Sequence, residues 1–212
     1  MRIGVLLFSS AIALRAPHAN VLRPAVGVPR VAPPCLSAAS WVTGCVLSGT
    51  AGTPFVVGAI KTWYRKIPLP TWTPPDRIFA PTWTTLYAMM GFSTSRVAAA
   101  AGLASAPTLH FLAHLVANVV WAPIFFGLQR LRLALYLNVA LIASLAVLIL
   151  QYNAAAGAAS ALLLCPYMAW LLFATALNFR ICALNPTSQA YNTAMLQADL
   201  AKLQARAAAM VA

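Results

Sequence analysis

The chain has 212 residues, 62% of them hydrophobic and only 8% charged, with a mean hydropathy of +0.81, far from the ~25% charged residues of an ordinary soluble domain. Fourteen Lys and Arg face two acids, for a formal charge of +12. The basic residues lie thinly between and outside apolar runs, which is how a chain is oriented in a bilayer and not how one tracks phosphates; this argues for an integral membrane protein and against a nucleic-acid partner.

Residues 1–39 differ from the rest. MRIGVLLFSSAIAL places one Arg before an apolar run that is uncharged from Ile3 to Leu14, and a stretch rich in Arg, Ala and Pro without any acid follows. The run is shorter than the ~20 residues a helix needs to cross a bilayer, so the segment reads as a targeting sequence, of the signal or two-part signal and transit kind.

Five apolar segments of spanning length come next, at 40–60, 78–102, 109–128, 133–152 and 158–179. None alternates with the period of a barrel strand, so the expected fold is an all-α membrane protein, a bundle of five transmembrane helices occupying residues 40–182. The first connection carries Lys61, Arg65, Lys66 and Arg77, the third carries Arg130 and Arg132, and the tail adds Arg180, Lys202 and Arg206. The second and fourth, SAPT and NAAAG, carry no charge. The positive-inside rule then puts the first and third connections and the C-terminus in the cytosol, with Arg96 snorkelling to the opposite interface. In the tail, 183–212, Leu196, Leu200 and Leu203 form one stripe of a short amphipathic helix.

The first connection is unusual. Pro68, Pro70, Pro74 and Pro75 forbid a continuous helix, and Trp63, Tyr64 and Trp72 suit headgroup depth. It is either an aromatic belt on a rigid connector or a lid, being longer than a helical hairpin requires. Polar and aromatic groups also recur at helical spacing inside the spans: Trp83 and Tyr87 in the second; His110, His114, Asn118 and Trp121 in the third; Tyr167, Trp170, Ala174 and Asn178 in the fifth. Such stripes face a cavity or a partner helix, and from the residues alone packing between helices is the favoured account. Cys35, Cys45, Cys165 and Cys182 form no CxxC pair, so neither zinc nor a disulfide framework is expected. There is no nucleophile elbow, paired carboxylate or HExxH, and the acids, Asp76 and Asp199, lie far apart, so hydrolytic chemistry is not expected either.

Three strings, WYRKIPLPTWTPPDRIFAPTWTTLYAMMG, NVVWAPIFFGLQRL and CPYMAWLLFATALNF, occur in this order over about residues 44–182. Together they resemble the translocator protein family, TspO/MBR, also called peripheral-type benzodiazepine receptors. The resemblance implies a five-helix bundle whose first loop folds as a lid over a pocket. It implies binding of porphyrin or haem, or of cholesterol and other lipids, as ligand, with no cofactor or metal required. By motif position it implies a pocket lined by Trp83, Tyr87, Asn118, Trp121, Tyr167, Trp170, Ala174 and Leu177, to which the helical stripes add His114 and Asn178, under a lid of Trp63, Tyr64, Trp72, Pro74 and Pro75. Trp83 and Trp170 match the tryptophans implicated in light-dependent porphyrin breakdown in bacterial relatives. A homodimer is expected, through Gly44, Ser48 and Gly52 or through Ala113 and Ala117. The resemblance implies an organelle membrane, the mitochondrial outer one in animal members, while the segment 1–39 points to a plastid or the secretory pathway as alternatives.

This sequence also departs from the family. Arg77 stands where a tryptophan is frequent before the second helix, Leu133 replaces a tryptophan that stacks on drug ligands, Phe179 replaces the Tyr of the cholesterol-type pattern, and His114 stands where many relatives carry Gln.

Overall fold

The computed structural model describes residues 36–186 and Ala201. Every regular element among them is helical: α1 Ala38–Thr50, α2 Thr53–Thr62, α3 Asp76–Ala101, α4 Ala106–Ala122, α5 Leu131–Ala156, α6 Ala158–Leu162 and α7 Cys165–Leu184, with a 3₁₀ turn at Tyr64–Lys66 and a π turn at Pro123–Gly127. Among the described residues, four stretches are long and apolar enough to cross a membrane: Ala38–Lys66, Ala106–Gly127, Leu131–Ala156 and Ala158–Leu184. The helix α3, with 26 residues, is about 39 Å long. It carries Asp76, Arg77, Arg96 and several Ser and Thr, which keep it out of that group.

The helix boundaries follow from local chemistry. Ser37 caps α1, its hydroxyl accepting from the Ser40 amide at 3.1 Å. The predicted first span, 40–60, is two helices, because Gly52 and the N–H-less Pro54 interrupt the ladder. The α3 helix starts at Asp76, whose charge suits the positive end of the helix dipole. Two predicted loops are shorter than expected. Within SAPT, residues 106–108 already belong to α4, and within NAAAG only Gly157 lies outside α5, at φ 79°, where a side chain would be strained. The third predicted span, 109–128, ends in the π turn, since Pro123 cannot donate to the preceding carbonyl ladder and Leu128 donates to Pro123 O at 2.8 Å instead. The fifth predicted span, 158–179, is α6 and α7, with Pro166 starting the longer piece. The predicted targeting segment up to residue 35, and the tail stripe at Leu196, Leu200 and Leu203, lie outside the described residues.

The arrangement is built around α3, which packs along α1 and touches α4, α5, α6 and α7. Two glycines set its closeness to α1. A Cβ on Gly91 would lie 2.7 Å from Trp41 O, and one on Gly49 would lie 2.2 Å from the Tyr87 ring. The other close pairs are α5 with α7 and α4 with α5. Large apolar side chains such as Leu47, Val116, Val139, Leu150, Leu162 and Phe179 point outward, while Ser93, Thr94, Thr108, His114, Asn138, Ser160 and Asn178 are buried. Apolar outside and polar inside is the distribution lipid requires.

Candidate functional site

Trp83 and Tyr87, one turn apart on α3, face Tyr167 and Trp170 on α7. The Trp83 ring centroid lies 5.5 Å from Tyr87, 6.2 Å from Tyr167 and 6.4 Å from Trp170. Phe79 meets Trp170 edge-on at 5.7 Å, and Phe173 lies 5.4 Å from Trp170. Such edge and tilted contacts are the arrangement aromatic quadrupoles prefer. The first connection joins this cluster through Trp72, 5.8 Å from Phe173. The Trp170 indole nitrogen is buried without a hydrogen-bond partner.

Behind the rings runs a line of polar side chains. The Tyr87 hydroxyl donates to Asn118 Oδ1 at 2.6 Å, and Asn118 Nδ2 donates to the Tyr167 hydroxyl at 2.7 Å. Tyr167 Oη is 3.0 Å from His114 Nε2, and His114 Nδ1 is 2.9 Å from Ser144 Oγ. Ser144 Oγ is also 2.9 Å from His110 Nε2, and His110 Nδ1 is 2.9 Å from Gln151 Oε1. Both ring nitrogens of each histidine are therefore engaged. While this line holds, neither imidazole has an unpartnered ring nitrogen.

The remaining residues of the predicted pocket fall elsewhere. Trp121 stacks on Phe125 at 4.9 Å, and its indole donates to Ala134 O at 3.0 Å. Leu177 is buried in the same second cluster, with Phe125, Leu131 and Ile181. The Asn178 amide, oriented to satisfy both its atoms, donates to Leu131 O at 3.2 Å and accepts from Leu135 N at 3.0 Å, joining α7 to α5. Ala174 is half-buried one turn beyond Trp170. The structure thus gathers Trp83, Tyr87, His114, Asn118, Tyr167 and Trp170 into one place and puts Trp121, Leu177 and Asn178 in another.

The lid residues divide in the same way. Trp63 donates to Phe126 O at 3.1 Å, and Tyr64 packs edge-on against Phe125 at 6.1 Å and Phe126 at 5.3 Å, so both anchor the connection in the second cluster. Trp72 reaches the first. Pro74 is half-buried, and Pro75 is the extended residue before α3. An ion pair between Arg65 and Asp76 closes the two ends of the connection, and Asn185 Nδ2 ties Pro68 O to the end of α7 at 2.9 Å. Of the departing positions, Arg77, Leu133 and Phe179 are all exposed.

Two grooves, of about 410 and 350 Å³, lie on the outside, one lined by Leu135, Tyr136, Val139, Leu172 and Phe179, the other by Pro81, Thr85, Met89 and Pro166. Neither is lined by Trp83 or Trp170, whose rings meet edge-on at 6.4 Å. Sequence reading missed Ser144, Gln151, Phe79 and Phe173. Ser144 and Gln151 could have been found, since two polar residues seven apart share one face of an otherwise apolar helix.

Residues 41–184 match the TspO/MBR family. The chain is 36% identical over 149 residues to a "Tryptophan-rich protein TspO" of Archaeoglobus fulgidus, covering 65% of this chain and 89% of that protein. It is 35% identical over 152 residues to "Protein CrtK" of Rhodobacter capsulatus, covering 70% and 92%. It is 34% identical over 155 residues to the human "Translocator protein", covering 70% and 90%.

Proposed function

Because the chain belongs to the TspO/MBR family, we propose that this multi-pass membrane protein binds a tetrapyrrole, protoporphyrin or haem, and acts in porphyrin transport, scavenging or stress sensing. The names of relatives, "Translocator protein" and "Tryptophan-rich sensory protein", fit those roles. The observation that carries the reading is the buried, partnerless Trp170 N–H inside a cluster of flat rings. A buried donor without an acceptor costs stability, and a planar ligand with acceptor atoms, sliding between Trp83 and Trp170, would relieve it while gaining stacking and apolar burial. Since the rings close on one another, entry requires Trp72 and its connection to lift.

In this reading α3 is the fifth span, its polar face turned into the bundle. Lys61, Arg65, Lys66, Arg77, Arg130, Arg132 and Arg180 then mark the cytosolic end, and residues 1–39 supply the address to an organelle membrane. The chain pairs as a homodimer through Ala113 and Ala117. The alternative surface is compromised, because a Cβ on Gly52 would lie 2.8 Å from Ala122 Cβ, so that glycine already serves a contact within the chain.

The test is a titration of purified protein with protoporphyrin in darkness, followed by tryptophan quenching and Soret absorbance. Saturable binding is expected, and its absence overturns the reading. Repeating it in light addresses a second reading, light-dependent porphyrin degradation, favoured by the Trp83–Trp170 contact. A new product formed only in light would make the protein an enzyme. A third reading, a sterol or lipid transporter, draws on the apolar groove between α5 and α7. A spin-labelled sterol competing with protoporphyrin would support it.

A further inference from the structure

The line from Tyr87 to Gln151 admits only one order of protons. Asn118 accepts from Tyr87 and donates to Tyr167, so the Tyr167 proton has His114 Nε2 as its acceptor. A neutral imidazole accepting at Nε2 carries its proton on Nδ1, so His114 donates to Ser144 and Ser144 donates to His110 Nε2. His110 is then protonated on Nδ1 and donates to Gln151 Oε1. The far end demands the same result independently, because a carbonyl oxygen can only accept. Each hydroxyl and each imidazole therefore points its proton away from the rings and towards Gln151.

This order separates the two tyrosines beside Trp83. Tyr87 is nearer, with centroids 5.5 Å apart against 6.2 Å for Tyr167. Its proton, however, rests on an amide oxygen, which is hardly a base. The Tyr167 proton rests on an imidazole nitrogen. A phenol that loses an electron becomes a strong acid, so it yields that electron readily only where a base takes the proton at the same time.

We propose that Tyr167 is a proton-coupled electron donor to Trp83, with His114 as its proton acceptor and Ser144 and His110 as the outlet. The step begins when an external one-electron oxidant, by class a photoexcited aromatic dye, removes an electron from Trp83, directly or through Trp170, which Phe173 links to Trp72. One electron then passes from Tyr167 to the Trp83 radical cation, restoring the indole. The Tyr167 O–H bond breaks, an N–H bond forms at His114 Nε2, and the positive charge moves to the imidazolium. The His114 Nδ1 proton passes to Ser144 as the Ser144 proton passes to His110, leaving the charge on His110 and a neutral radical on Tyr167. The hole is thereby drawn off an indole that would otherwise be destroyed, and parked on a buried phenol. This goes beyond ligand binding and does not depend on which ligand is bound.

The test is flash photolysis of the purified chain with a ruthenium tris-bipyridine photo-oxidant and a sacrificial electron acceptor, read by transient absorption and electron paramagnetic resonance. The background replaces Tyr136, which is 66% exposed and open to direct oxidation, and Tyr191 with Phe. A tryptophanyl signal is expected to decay as a tyrosyl signal grows, more slowly in heavy water. Tyr167→Phe is expected to abolish the tyrosyl signal although Tyr87 remains, and the tryptophanyl signal then persists. Loss of a positioned proton acceptor in His114→Gln is expected to slow the conversion about a hundredfold. A tyrosyl signal that survives Tyr167→Phe, or a rate indifferent to His114→Gln, overturns the proposal. The heavy-water comparison needs no variant of the line itself, so if no tyrosyl signal grows, or it grows equally fast in both solvents, the proposal fails whatever the variants do. No tetrapyrrole is present, so this failure leaves the ligand reading standing.

Discussion

The two clusters inside this protein use polar groups in opposite ways. Around Trp83 and Tyr167, side chains bond to side chains: phenol to amide, phenol to imidazole, imidazole to hydroxyl. Around Phe125 and Leu177, side chains bond to main chain: Trp63 to Phe126 O, Trp121 to Ala134 O, Asn185 to Pro68 O. Main-chain acceptors are fixed by the helices, so the second cluster is a set of pins that hold the first connection and the π turn in place. Side-chain partners can rotate and exchange protons, so the first cluster can rearrange in ways the second cannot. Both contain Trp and Asn at helical spacing, and only the nature of the partner tells them apart.

The comparison breaks most sharply at the two asparagines. Asn118→Leu strands the Tyr87 hydroxyl, at about 1–3 kcal/mol, and removes one bond from Tyr167, which keeps His114, at about 1 kcal/mol, so the loss should reach about 2–4 kcal/mol. Asn178→Leu removes bonds to Leu131 O and Leu135 N, which pair with each other in the α5 ladder anyway, so about 1 kcal/mol is expected. Thermal unfolding in one detergent, run side by side, checks the difference. Equal losses would erase the distinction between network and pin.

Ligand affinity should divide along the same line. Trp83→Phe with Trp170→Phe removes two indole faces worth ~0.5–1.5 kcal/mol each, so protoporphyrin binding should weaken by about 1–3 kcal/mol, roughly fivefold to 150-fold. Trp121→Phe, in the other cluster, should leave it within about twofold, provided the π turn holds. Quenching titrations measure both. A larger effect from Trp121 would move the site under the first connection.

The helical architecture was legible because lipid imposes it: apolar runs of spanning length leave the backbone little choice. The breaks inside the runs were less so. Gly52, Pro54 and Pro123 are visible in the sequence, yet whether such residues kink, break or widen a helix depends on what packs against it. The helical stripes put Trp83, Tyr87, His114, Asn118, Tyr167 and Trp170 on one face each of three helices, and in the fold these side chains meet. Spacing along one helix fixes a face, not the neighbour opposite it, and so could not say that Trp121 and Asn178 would turn towards main chain while Ser144 and Gln151 completed the line.

The glycines separate the regions again, by what a methyl group would strike. Gly91→Ala puts a Cβ 2.7 Å from Trp41 O and 2.8 Å from Val42 Cα, backbone atoms that move only if α1 moves, and about 1–3 kcal/mol should be lost. Gly127→Ala meets the Phe55 ring at 2.7 Å, and a side chain can turn aside, so under about 1 kcal/mol is expected. Unfolding midpoints of the pair test whether the α1–α3 seam is the less forgiving of the two.

The smallest effect on stability should come from the ion pair across the first connection. Arg65 and Asp76 are 65% and 36% exposed, and pairs of that kind contribute about 0–1 kcal/mol. Asp76→Asn would mix two effects, because Asp76 also begins α3 and favours its dipole there. Arg65→Gln isolates the pair. Its unfolding should shift by less than about 1 kcal/mol at low salt, and the shift should vanish near 1 M salt, where the Debye length is about 3 Å. The pair nevertheless joins the two ends of the segment that carries Trp72, while Asn185 holds Pro68 within it. If that segment must lift for a ligand to leave, Arg65→Gln should speed protoporphyrin release at low salt, and wild type in high salt should show the same acceleration. Stopped-flow dissociation into excess apomyoglobin measures both. Release rates unaltered by either change would show that the tie to Asn185 and the Trp72–Phe173 contact hold the connection by themselves.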